Sequence, residues 1–227
     1  MSDQTGQIAL VFEHDDWLLC FKPQGMNFHT EEGELGFVEC ARQLFGIELW
    51  PVHRLDKATS GLILLAKNKV SCSELSAMFF AHQVEKYYLA VCENTIKKKQ
   101  GKVSGDMAKS RRGSFKLLKT QGNPAITQFM SKSLMPGFRL CLLKPKTGKT
   151  HQLRVMMKSL GASIVGDKRY SGLDSDRLYL HAYAIKFSYQ SITYEFKTLP
   201  TEGHKFSSNE FKEAVEPWSE PWGLNWP

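Results

Sequence analysis

The sequence predicts an α+β fold with a mixed, largely antiparallel central sheet flanked by a few helices. Short apolar runs bounded by Gly, Pro or charged residues recur along the chain, and few helical stretches fall between them. That succession suits strands paired with their neighbours in sequence better than a regular strand–helix alternation. At 227 residues there is ample material for one catalytic domain, or for two lobes around a single cleft.

The elements follow in order. A hairpin is expected over 8–22, with Asp15-Asp16 at its turn, and then a helix over 36–46. The run Leu62-Ile63-Leu64-Leu65-Ala66, bounded by Gly61 and by Lys67-Asn68-Lys69, reads as a buried strand. Leu75, Met78 and Phe79 share helical spacing within 70–82. Strands are expected at 84–92, 113–119, 125–132 and 138–144, then at 178–188 and 191–197. In the helix expected at 149–160, Leu153, Met156, Met157 and Leu160 form an apolar stripe that Gly161 closes. His151, Arg154 and Lys158 share a different face of that helix. A short helix at 207–215 precedes a Pro/Trp-rich tail, 217–227, expected to be an extended segment packed on the domain.

Two segments carry chemistry. In His53-Arg54-Leu55-Asp56-Lys57-Ala58-Thr59-Ser60-Gly61 a carboxylate stands among cations on a loop that leads into the buried strand. Rigid sheet beside a loop is where catalytic groups are often mounted. Arg54 and Lys57 would favour the ionised Asp56 that a nucleophile or base requires. The second segment, Lys144 to Val155, runs from a Pro/Gly-punctuated loop into the helix that carries Arg154. Taken alone, the first segment reads better as a surface ion pair, and the cationic helix face of the second reads equally well as a solvated flank.

Together they resemble the RluA family of pseudouridine synthases, and the resemblance runs over roughly residues 10 to 190. Leu10 to Met26 is similar to that family's entry hairpin and its Lys-Pro-x-Gly turn, here Lys22-Pro23-Gln24-Gly25. His53-Arg54-Leu55-Asp56 with Thr59-Ser60-Gly61 matches the catalytic motif. Lys86-Tyr87-Tyr88 resembles the Lys-x-Tyr strand. Thr147 to Arg154, with Gly161 through Gly166-Asp167 to Tyr170, resembles a third motif, and Arg177-Leu178-Tyr179-Leu180-His181-Ala182 a further strand.

The resemblance implies an RNA pseudouridine synthase in which Asp56 is the nucleophile on the target uridine. Asp56 would form a covalent adduct or help expel uracil before it rejoins through C5. Arg154 would pair with Asp56, and Tyr88 would stack on the flipped base and take the C5 proton. Leu153 would wall the pocket, Arg54 would enter the RNA stack, and Lys86, Lys149 and His151 would contact substrate. Physical chemistry agrees: moving a glycosidic bond needs a carboxylate near the sugar, an aromatic platform and an extruded base. The chain departs from the family pattern at Lys149, where Arg is usual, and at Met156 and Ala162, where His is common. Lys149 would keep the charge but lose a bidentate phosphate contact.

The formal net charge of +7 suits a polyanionic partner, either ribosomal or transfer RNA, with no DNA expected. Lys97-Lys98-Lys99, Lys102, Lys109, Arg111-Arg112, Lys116 and Lys119 crowd a region where only Glu93 and Asp106 are acidic. That region reads either as a solvated loop or as a mobile arm that orders on RNA. The five cysteines show no metal-ligand spacing and suit buried thiols in a reducing compartment. No cofactor or metal is expected. The start, Met1 to Thr5, has no basic-apolar signal, and no apolar run is long enough for a bilayer. A soluble cytoplasmic protein follows, monomeric for want of heptads, with no separate S4-type domain ahead of the catalytic one.

Rival classes fail on spacing. Thr147-Gly148-Lys149-Thr150 lacks the earlier glycine of a phosphate loop, since that position is Leu143. A kinase-like His-Arg-Asp loop is interrupted by Leu55. The alternative left is a non-catalytic RNA-binding protein on the same fold, which would have no use for a carboxylate among phosphates.

Overall fold

The computed structural model describes residues 8–31, 33–93, 96 and 98–227. The start of the chain and Lys97 of the lysine run lie outside the described residues. In chain order the elements are β1 (Ala9–Glu13), β2 (Trp17–Lys22), α1 (Phe37–Phe45), β3 (Trp50–Pro51), β4 (Ser60–Ala66), α2 (Lys69–Phe80), β5 (Glu85–Glu93) and β6 (Gln100–Gly105). There follow β7 (Met107–Lys109), β8 (Phe115–Leu117), β9 (Ala125–Met135), β10 (Phe138–Pro145), α3 (Gln152–Ser159), β11 (Leu180–Tyr189), β12 (Ile192–Lys197) and α4 (Asn209–Val215). This is the predicted α+β class, with mixed, mostly antiparallel sheet. The chain divides into two compact units: one comprises residues up to Val84 plus Ala182–Leu199, the other Glu85–His181 plus Pro200–Pro227.

In the first unit the strand order is β1-β2-β4-β11, with β12 on β11 and β3 on β4. β2 and β4 are buried at every position, as their uninterrupted apolar runs predict. Trp17 and Leu19 of β2, Leu62, Leu64 and Ala66 of β4, and Ile185, Phe187 and Tyr189 of β11 recur at every second residue. They form one core with Leu75 of α2. The Asn68 side chain accepts from Ser71 N (2.9 Å) and so caps α2. Asn68 Nδ2 also donates to Asp16 Oδ1 (3.2 Å), tying the helix start to the β1–β2 turn.

In the second unit the order is β5-β10-β9-β6, each pair antiparallel, and β7 and β8 form a separate hairpin. Here the basic region departs from expectation. Instead of a loop or arm, Gln100–Gly105 is a strand along β9, and the strand expected at 113–119 shrinks to Phe115–Leu117 beside β7. Ser131 N donates to Lys99 O (2.6 Å), so the described lysines lead straight into sheet. Polar sequence hid this strand, because edge pairing rather than side-chain burial makes it.

α3 begins at Gln152, later than the expected 149, and His151 stands ahead of it in a left-handed conformation (φ 57°). His151 therefore precedes the helical face that Arg154 and Lys158 share. The tail is packed as expected but turned rather than extended, with 3₁₀ turns at Glu216–Trp218 and Pro221–Gly223. The Lys132 ammonium lies 4.2 Å from the Trp218 ring centroid, and Trp226 meets Tyr87 at 5.7 Å between centroids.

Candidate active site

In the first unit Asp56 opens a tight turn that delivers the chain to β4. Thr59 N donates to Asp56 O (3.0 Å), closing the turn over Lys57 and Ala58. Leu55 and Thr59 are buried, Asp56 is half-buried, and Arg54 and Lys57 are exposed. The turn is therefore anchored on both sides while the carboxylate is left partly accessible. Lys57 points its charge towards Glu34, with Nζ 3.9 Å from Oε2, rather than serving Asp56 alone. His53 is structural: Leu64 N donates to its Nε2 (2.9 Å), and its ring stacks on Phe79 at 4.3 Å.

Beneath the turn sits a cation to which sequence reasoning assigned no role. Lys22 ends β2 with no solvent exposure and donates from Nζ to Pro23 O (2.9 Å), Lys57 O (3.2 Å) and Thr59 O (3.2 Å). A buried ammonium is tolerated only when hydrogen-bonded, and here two of its partners, Lys57 O and Thr59 O, are carbonyls of the Asp56 turn. The signal in the sequence was a lysine closing an otherwise apolar strand. Gly61, just past the turn, has φ +118°, and a Cβ there would run into Ala182 O.

In the second unit β5 separates two adjacent tyrosines by face. Tyr87 is fully buried, donates its hydroxyl to Glu85 and lies beneath Trp226 and the Lys144 ammonium. Lys144 in turn pairs with Glu85 at 2.6 Å. Tyr88 alternates to the opposite face and is half-buried, and Lys86 shares that face. Burial lowers the Lys86 pKa.

Arg154 and His151 come together around one turn, Gly166–Tyr170. Arg154 donates Nε to Asp167 Oδ2 (2.7 Å) and Nη2 to Asp167 Oδ1 (2.8 Å), a two-pronged pair with the carboxylate wholly buried. The guanidinium lies 5.1 Å from the Tyr170 ring centroid. The Tyr170 hydroxyl accepts from Phe115 N (3.0 Å) and shares a hydrogen bond with His151 Nδ1 (2.9 Å). Burial pushes the Tyr170 hydroxyl up, so it stays a neutral O–H near neutral pH. Leu153 is buried, and Lys149 donates to Asn123 O and Oδ1. Asp167 and Tyr170 lay within a recognised motif, yet nothing in their spacing announced Arg154 and His151 as partners. Among the described residues no group of three or more His, Cys, Asp or Glu could hold a metal ion. Among the same residues no helix is long and apolar enough to cross a membrane.

Known proteins with these elements are enzymes that isomerise uridine within RNA. A family model described as RNA pseudouridylate synthase matches residues 16–159, a segment that contains Asp56, Tyr88 and Arg154. An uncharacterized RNA pseudouridine synthase of Haemophilus influenzae is 46% identical over 87% of this chain and 89% of its own. Ribosomal large subunit pseudouridine synthase C of Vibrio parahaemolyticus is 33% identical, over 80% of this chain but 62% of its own. Ribosomal large subunit pseudouridine synthase D of Borreliella burgdorferi is 32% identical over 90% of this chain and 69% of its own. The solved structure of human RNA Pseudouridylate Synthase Domain Containing 1 superposes with a TM-score of 0.74 at 25% identity, covering 86% of this chain and 84% of that one. The chain belongs to the RNA pseudouridylate synthase family, in the RluA group that its motifs resemble.

Proposed function

We propose that the chain converts one or a few uridines of large-subunit ribosomal RNA to pseudouridine, with Asp56 as the nucleophile. The observation that carries this reading is the family match over residues 16–159, which spans the Asp56 turn, β5 and the whole of α3. Ribosomal RNA is favoured over transfer RNA because similar proteins from Vibrio parahaemolyticus and Borreliella burgdorferi are named for the large subunit. The N1–C1′ bond breaks, a C5–C1′ bond forms, C5 gives up its proton and N1 takes one up. The change is redox-neutral and calls on no electron carrier.

In this scheme the Asp56 carboxylate attacks the extruded nucleotide or assists departure of uracil. Tyr88 supplies the platform and accepts the C5 proton, and Arg154 is the cation that holds the reacting centre in register. Arg54 enters the RNA stack, Leu153 walls the base, and Lys86, Lys149 and His151 contact the substrate. The protein works as a cytoplasmic monomer. The test is single-nucleotide mapping of pseudouridine in RNA from cells lacking the gene. One large-subunit mark should vanish and return with wild type but not with Asp56→Asn. A mark restored by Asp56→Asn would remove Asp56 from the chemistry. A protein that binds RNA and alters no mark would be a binder on the same fold.

A further inference from the structure

The hairpin β7–β8 carries its charge on one exposed tip. Lys109, Arg111, Arg112 and Lys116 are all exposed, and no acidic residue lies between Met107 and Lys119. Its turn is closed by its own backbone, Ser110 N to Ser114 O (2.8 Å) and Ser114 N to Arg111 O (3.2 Å). Arg112 and Gly113 take φ of 54° and 69° there. Such a hairpin is short, with three residues in each strand, and two strands alone hold little stability. Beyond the backbone bonds at its base, Leu118 N to Asp106 O (2.7 Å) and Asp106 N to Thr120 O (2.9 Å), it is held by contact with the turn that holds Arg154.

Two contacts do so. Arg169 Nη1 donates to Arg112 O (3.2 Å) and Gly113 O (2.9 Å). The Tyr170 hydroxyl, 5% exposed at the residue, accepts from Phe115 N (3.0 Å) while bonded to His151 Nδ1 (2.9 Å). The Phe115 ring meets the His151 ring edge-on at 5.7 Å. The same tyrosine ring lies under the Arg154 guanidinium, and Tyr170 N donates to Asp167 Oδ1 (3.3 Å), the carboxylate that grips Arg154. One side chain thus touches the hairpin by its hydroxyl and Arg154 by its face.

We propose that Tyr170 is a positioning residue whose hydroxyl latches the basic hairpin to the Arg154 turn, so that RNA phosphates held by the hairpin are registered against Arg154. This rests on the reading of Arg154 and of RNA as substrate given above. The latch costs the hairpin its freedom before RNA arrives, and a preordered set of cations loses less on binding than a mobile one. Released counterions then give the phosphate contacts a measurable salt slope.

The experiment compares wild type, Tyr170→Phe, Arg111→Ala/Arg112→Ala and the combined variant. The probe is an unmodified large-subunit ribosomal RNA transcript. Binding is measured over a salt series, and single-turnover modification at saturating RNA is measured apart from it. Tyr170→Phe keeps the ring under Arg154 and removes the hydroxyl, with its bonds to Phe115 N and to His151 Nδ1. It should weaken binding about fivefold to tenfold and lower the salt slope by about one, near the value for one phosphate contact. The rate at saturating RNA should change less than about threefold. The combined variant should bind only about as weakly as the arginine variant, because both changes remove the same contacts. A hydroxyl that merely supports the fold would lower the melting temperature while leaving affinity and salt slope intact, and that result overturns the proposal. Strictly additive losses overturn it too. A wild-type protein that binds the transcript yet modifies no uridine counts against the large-subunit reading, whereas the binding series still decides the latch.

Discussion

Lys22 and Tyr88 are both named by short motifs, and their surroundings give them opposite kinds of work. Lys22 is sealed under the Asp56 turn, where three backbone carbonyls face its ammonium. Replacing it by Met keeps the volume but leaves those carbonyls unmatched, at a cost of about 2 kcal/mol or more. Urea denaturation should show that loss. Single-turnover rates should fall further than stability accounts for, because the turn carrying Asp56 loses its floor. A Lys22→Met protein of full activity would separate the turn from the chemistry. Tyr87 and Tyr88 make a matched pair. Tyr88→Phe should lower the rate at least about a hundredfold, the scale of a lost proton acceptor, while RNA binding stays. Tyr87→Phe loses a hydrogen bond to Glu85 on the tail-covered face and should leave turnover intact. Equal rate losses in the two would reverse the face assignment. The alternation that separates these tyrosines was legible in the sequence, since strand geometry alone dictates it. The Arg154–Asp167 pair was not, because Asp167 reaches Arg154 only through the tertiary fold. Gln152 is a similar case. Its amide accepts from Thr147 Oγ1 and Lys149 N and donates to Ile126 O and Thr127 Oγ1, and no local spacing reveals that set.

Elements whose stability comes from apolar runs were read within a residue or two, as with β4 and α2. Those made by pairing or by turn geometry were not, as with β6 and the residues ahead of α3. The entry to β4 shows how strict such geometry can be. Gly61→Ala would force a Cβ towards Ala182 O at φ +118°, costing about 2–3 kcal/mol. Urea midpoints should register it, and an unchanged midpoint would mean that β11 can yield. The segment after β12 is clipped back by a different device. Asp176 accepts from Tyr179 Oη (2.7 Å) and from His204 N (3.0 Å), and Ser175 Oγ adds a third bond (3.0 Å). Burial alone would raise its pKa, but these donors outweigh burial and bring the carboxyl down to about 2, from 3.8. A depressed pKa gives stability that is complete above the unfolded value and fades as pH falls through the folded one. The stability gap between wild type and Asp176→Asn should thus hold steady near neutrality and close between about pH 4 and pH 2. A gap that ignores pH would mean that the clip works without its charge.

The whole chain is woven so that neither compact unit is a continuous stretch. The first unit takes residues up to Val84 and then Ala182–Leu199, and its core needs both pieces. Trp17, Leu19, Leu62, Leu64 and Ala66 come from the first piece, and Ile185, Phe187 and Tyr189 from the second. Phe196 and Tyr194 of β12 pack against the same cluster. An isolated fragment 1–84 would expose the apolar face that β11 and β12 cover, a loss that marginal stability cannot absorb. Such a fragment should therefore show no cooperative unfolding in urea and should bind hydrophobic dyes, whereas the full chain unfolds cooperatively. Long-range pairing of this kind also slows folding, because almost 100 residues must be closed as a loop before β11 can join that core. In the full chain, substitutions in the second piece that are absent from an early nucleus, such as Phe187→Leu, should mainly speed unfolding. Cooperative unfolding of fragment 1–84 alone would show that the core closes without β11, and the woven order of the chain would then have no part in its stability.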